Sequence, residues 1–187
     1  MTVHHVLWHC AELASSEHAV LRWDGEWMHL AGRLALALDD EPCDIDHEVD
    51  IDAAAATTAL RATITTATGA RRLELWGVAG RWTRDGAPDP TLAGCDAIDL
   101  GWSPATNTTP LRRWSDLSVG ASAELLVAWV RFPELDVLAT PQRYTRIATD
   151  RWRFTSGPFD FTLVVDADGI VQRYGDDLWV AVASSAT

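Results

Sequence analysis

The segment Asp44-Ile-Asp-His-Glu-Val-Asp-Ile-Asp52 decides the fold class. Ile45, His47, Val49 and Ile51 alternate with Asp44, Asp46, Glu48, Asp50 and Asp52. Side chains of a strand point to opposite faces in turn, so this run buries one face and wets the other. A helix would scatter the same residues around its circumference. Leu34, Leu36 and Leu38, interleaved with Ala35 and Ala37, show the same period upstream. Outward from there, 57–67, 73–76, 124–131, 142–147, 151–154 and 159–165 read as further strands. Asp24-Gly25, Thr68-Gly69, Asp85-Gly86, Ser156-Gly157 and Asp168-Gly169 supply the turns between them. Helical periodicity is thin: the alanine run within 52–58 reads as one short turn of helix. The expectation is an all-β protein of curved antiparallel sheets with little helix. The segment 91–116 holds Gly94, Gly101, Pro104 and Pro110 among polar residues, and reads as a long structured connection.

The 187 residues fit a single domain over 1–187. Strand, turn and strand recur in similar order in the two halves, which suggests internal repeats at about 17–90 and 118–180. Fifteen Lys+Arg against 27 Asp+Glu leave a formal charge of −12. Such a chain repels phosphate backbones and anionic headgroups, so neither nucleic acid nor an electrostatically held membrane is an expected partner. No run is long and apolar enough for a membrane span. The first ten residues lack the basic start and apolar stretch of a secretory signal, and Cys10, Cys43 and Cys95 have no paired spacing. A cytoplasmic protein with reduced thiols is expected.

Catalytic and metal-binding signatures are missing from the sequence. His47-Glu48 resembles the opening of a zinc-protease motif, but Ile51 stands where the second histidine belongs. His4, His5, His9 and Cys10 have no zinc-finger spacing, and Asp166-Ala-Asp-Gly169 lacks the downstream glutamate of a calcium loop. The acidic row 44–52 runs straight and does not converge, so it reads as a solvated face that discourages sheet aggregation. No metal or cofactor is expected.

The densest chemistry lies at Cys95-Asp-Ala-Ile-Asp-Leu100 and Ser103-Pro-Ala-Thr-Asn-Thr-Thr-Pro-Leu-Arg-Arg113. Opposite charges in one irregular connection point to a buried contact between Asp96 or Asp99 and Arg112 or Arg113. Such a network serves either to hold the loop or to wall a polar binding site.

This segment resembles the signature of the bacterial family named for putative glycolipid binding. Trp8 followed by Glu17-His18, Gly80-Arg-Trp82, Pro133-Glu-Leu, Gln142-Arg-Tyr144 and Asp166-x-x-Gly-Ile-Val171 follow in the family's order. The chain departs from it at Ala105, where the family has an aromatic, at 54–58, and in the ending Tyr174-Gly-Asp-Asp-Leu-Trp179. The resemblance implies a spiral β-roll of two intertwined repeats. It also implies non-enzymatic binding of a glycolipid or similar amphiphile, in a Trp-lined apolar groove with a polar Asp/Asn/Arg mouth. The ligand-binding candidates up to residue 99 are Trp8, Glu17, Trp82, Asp96 and Asp99; those beyond it are Thr106, Asn107, Arg112, Arg113, Trp129, Arg143 and Tyr144. Alternatives are an enzyme acting on a small polar or anionic metabolite through Asp96, Asp99 or Glu17 with Arg112 or Arg113, or a ligand-free structural dimer module. Leu34, Leu36, Val127, Trp129 and Phe161 point to one concave side. They predict an elongated cavity of roughly a few hundred Å³ with the arginine pair at its polar end.

Overall fold

Strand-length alternation covers most of the chain, and the computed structural model turns it into fifteen strands among the described residues. It describes residues 1–52 and 57–187; the alanines at 53–56 lie outside the described residues. The first meander comprises β1 Thr2–Cys10, β2 Ser15–Trp23, β3 Trp27–Leu38, β4 Glu41–Asp52, β5 Thr57–Thr66, β6 Gly69–Val78, β7 Arg81–Arg84 and β8 Ala87–Pro88. After a connection come β9 Ala97–Leu100, β10 Ser122–Val130, β11 Val137–Ala148, β12 Arg151–Ser156, β13 Phe159–Val165, β14 Val171–Tyr174 and β15 Trp179–Ala186.

All fifteen strands form one curved, open sheet in the order β8 to β1, then β15 down to β9. The chain therefore begins in the middle of its own sheet. Its last strand pairs with its first, His4 opposite Ala186 and His9 opposite Val180. Among the described residues every pairing is antiparallel except β9 with β10, where Asp99 lies opposite Trp129. That parallel pair makes the sheet mixed rather than wholly antiparallel. It arises because 89–96 carries the chain from one edge of the sheet to the other. There Gly94 donates to the Gly80 carbonyl (2.9 Å) and Asp96 to the Leu126 carbonyl (2.7 Å).

The alternation in 44–52 holds in three dimensions. Ile45, His47, Val49 and Ile51 are buried, and the acidic face meets Arg33, Arg61 and His29 along neighbouring strands. Leu34, Leu36 and Val127 are also buried, whereas Trp129 and Phe161 are half-buried. The three cysteines are free thiols within the core.

The long connection holds more regular structure than its composition suggests. Pro90–Leu92 and Pro104–Asn107 are 3-10 turns, and Thr108–Arg113 forms a short helix, α1. Asp89 and Ser103 cap the two turns by accepting from the Thr91 and Ala105 backbone N–H groups, and each is followed by a proline with its pre-set φ. The 102–108 stretch is buried throughout, so this segment is an inner wall of the roll rather than a surface loop.

Candidate functional site

Asp99 sits on β9 with its carboxyl between two donors. Gln142 Nε2 on β11 donates to Oδ2 at 2.7 Å, and Thr106 Oγ1 to Oδ1 at 3.0 Å. Thr106 in turn accepts from the Leu100 backbone N–H, which locks the 3-10 turn against its own strand. Behind Gln142, Tyr144 OH donates to Gln142 Oε1 (3.2 Å) and accepts from Asn107 Nδ2 (2.8 Å). Period two explains the partnership, since Gln142 and Tyr144 are neighbours on the inward face of β11. Burial pushes the Asp99 carboxyl up from the usual carboxylate range, against the pull of its two hydrogen bonds. Burial and the nearby Asp99 hold the Tyr144 phenol well above its ordinary value.

A cavity of about 150 Å³ opens beside this network. Its polar wall holds Asp99, Ser103, Asn107, Gln142 and Ser156, and its apolar wall Trp129, Phe159, Phe161, Tyr174 and Trp179. The polar side chains are almost wholly buried except Asp99, which keeps a partly open edge, while Phe159 is 41% exposed. The cavity therefore runs inward from an aromatic mouth to a hydrogen-bonding end.

A second buried cluster lies behind Ser103. Ser103 Oγ donates to Glu17 Oε1 at 2.7 Å, and His47 Nε2 stands 3.3 Å from the same oxygen. Trp102 Nε1 donates to His47 Nδ1 at 3.3 Å. Gly32 makes the meeting possible: a Cβ there would come within 2.4 Å of the His47 ring and 2.7 Å of Glu17. Glu17 and His47 side chains are 0% exposed, so this cluster is sealed from any ligand.

A family model described as "Putative glycolipid-binding" matches residues 5–179. The chain belongs to that family. It is also similar to a solved structure of a DUF1089 family protein from Pseudomonas aeruginosa, at 27% identity and a TM-score of 0.73. The likeness covers 86% of this chain and 90% of that one. A search of the curated proteins gives no match.

The family signature thus splits in space. Asp99, Thr106, Asn107, Tyr144 and Trp129 gather at or directly behind the cavity. Trp8 and Trp82 are core anchors whose indoles donate to the Val171 and Cys95 carbonyls, and Glu17 lies in the sealed cluster. The expected Asp–Arg contact does not form. Asp96 is exposed, and Asp99 faces Gln142 and Thr106. Arg112 stacks 3.9 Å from the Trp23 ring and donates to the Asp168 carbonyl, while Arg113 is exposed. Helix α1 turns these arginines away from β9, so the arginine pair does not close the cavity's polar end. Arg143 points outward and pairs with Glu124.

Sequence reasoning missed Gln142, Ser103 and most of the aromatic wall. Gln142 was findable: strict alternation through Gln142-Arg-Tyr144 puts the glutamine with the tyrosine and the arginine on the far side. Trp129 and Phe161 were read from alternation as facing the concave side and do line the cavity; Phe159, Tyr174 and Trp179 had no such signal, because their meeting depends on how β13, β14 and β15 curl.

Proposed function

We propose that the protein is a non-enzymatic, cytoplasmic binder of a glycolipid or similar amphiphile, held head-first in the cavity beside Asp99. The observation that supports this is the coincidence of one aromatic wall and one hydrogen-bonding wall in the same opening. Rings offer flat apolar faces to a sugar or the first carbons of a chain, and the buried polar groups orient the head. The volume near 150 Å³ suits a single headgroup rather than a whole lipid. The chain would leave across Phe159 and Phe161. Among the described residues no helix is long and apolar enough to cross a membrane.

Native mass spectrometry of gently purified protein tests the reading. A retained adduct of lipid mass is expected, and Phe159→Ala, at the exposed mouth position, should weaken its retention. A clean unliganded spectrum, with no amphiphile taken up on titration, would remove the proposal.

A further inference from the structure

The hydrogen bonds at the cavity's inner end all run in one direction. Asn107 donates to Tyr144, Tyr144 to Gln142, and Gln142 to Asp99; from the other side Leu100 N–H donates to Thr106, and Thr106 to Asp99. Ser103 directs its only hydroxyl hydrogen to Glu17, and Ser156 directs its own to the Pro141 carbonyl. What remains for a ligand is the lone pairs of Asp99, Ser103 Oγ, Ser156 Oγ and Asn107 Oδ1, beside the second amide hydrogens of Gln142 and Asn107 and the Tyr174 hydroxyl, and the one formal charge among these groups is that of Asp99. Burial keeps the Tyr144 phenol protonated, so the relay does not reverse.

The charge balance points the same way. Among the described residues no arginine or histidine nitrogen lies within 4.0 Å of the Asp99 carboxyl. Arg131, 6.0 Å from the Trp129 ring, is already paired with Asp136 at 2.8 Å. Around the opening, Trp129 and Phe159 meet edge to face at 6.0 Å, and Phe161 lies 5.1 Å from Tyr174. Aromatic faces attract cations.

We propose that the cavity takes the primary ammonium group of an amphiphile, with Asp99 as its counter-ion and Ser103 and Asn107 as further acceptors. This rests on the reading of the cavity as an amphiphile site and names the headgroup class. An ammonium group carries three donors and a positive charge, which complements the Asp99 carboxylate and the lone pairs of Ser103 and Asn107. A neutral sugar hydroxyl brings no charge to set against Asp99. A phosphate or sulfate would set lone pairs against lone pairs beside a carboxylate. An amino sugar and a simple amine-headed lipid share this chemistry.

Calorimetric titration separates the cases, with dodecylamine, dodecyl glucosaminide, dodecyl glucoside and dodecyl sulfate, each below its micelle threshold. Both amines should bind at least about tenfold more tightly than the glucoside, and the sulfate most weakly. The tighter amine identifies the source of the group. Asp99→Asn should weaken the amines by about tenfold and leave the glucoside within about twofold. Glu41→Gln, which removes an equal charge from an exposed site, should change neither. Glucoside binding as tight as the amines, or equal behaviour of Asp99→Asn and Glu41→Gln, would overturn the ammonium assignment while leaving amphiphile binding standing. If no dodecyl compound binds, both readings fall together.

Discussion

Two carboxyl groups, Glu17 on β2 and Asp99 on β9, enter the interior of this protein, and their surroundings differ. Glu17 is closed in by Ser103 and His47 with its second oxygen unpartnered, and nothing from solvent reaches it. Asp99 is held by Gln142 and Thr106 but keeps an edge on a cavity lined by aromatic rings. Both share Ser103, which donates to one and lines the cavity of the other. A buried carboxyl in a closed shell joins β2 to the inner connection and acts on stability. A buried carboxyl with an open side retains a demand that a ligand can meet.

The comparison breaks most visibly at Glu17. Glu17→Ala leaves Ser103 and His47 without their shared partner and should cost about 3–5 kcal/mol, the range for opening a buried pair. Urea unfolding measures it, and a loss below about 1 kcal/mol would mean that the sealed cluster is dispensable. Gly32→Ala follows, because its methyl would overlap His47 and Glu17 in a space that neither can leave. A loss of about 1–3 kcal/mol is expected by the same assay, the scale of overpacking in a filled core.

The smallest effect is expected at Asp99. Its folded carboxyl binds a proton more strongly than the unfolded one, so the native state holds more protons between the two values. Stability of the wild type therefore falls as pH rises from the unfolded value of 3.8 through the raised folded value, then levels off. Asp99→Asn removes that slope, but its amide offers one acceptor to the two donors of Gln142 and Thr106, so a loss of about 1 kcal/mol is expected at pH 7 in the ligand-free protein. Unfolding midpoints measured across the pH range check this. A stability loss as large as that of Glu17→Ala would erase the distinction between the two carboxyls.

The strand content was legible residue by residue. Alternation in 34–38 and 44–52, and Gly at the hairpin turns, reflect constraints acting over two or three residues, and these survive whatever the rest of the chain does. Gly25, Gly69 and Gly157, for example, all have positive φ at the turns assigned to them. The inward side of Gln142-Arg-Tyr144 was equally local. The importance of 95–113 was visible from its composition and its family signature, yet its partners were not. Opposite charges close in sequence suggested Asp99 with Arg112, but a strand followed by a 3-10 turn and a helix rotates the arginines out of reach.

The sequence by itself therefore determined the strands, the face each side chain takes, and an outer row of carboxylates; that the row meets Arg33 and Arg61 across the sheet came from the structure. Only the tertiary structure decided that β15 pairs with β1 and that β9 lies parallel to β10. Those two pairings set Gln142 against Asp99, 43 residues away, and Ser103 against Glu17, 86 residues away. The physical reason is range. Face alternation is imposed by neighbouring peptide units, whereas strand order at the ends of a sheet is chosen by which distant apolar faces and unpaired edges can be covered at once.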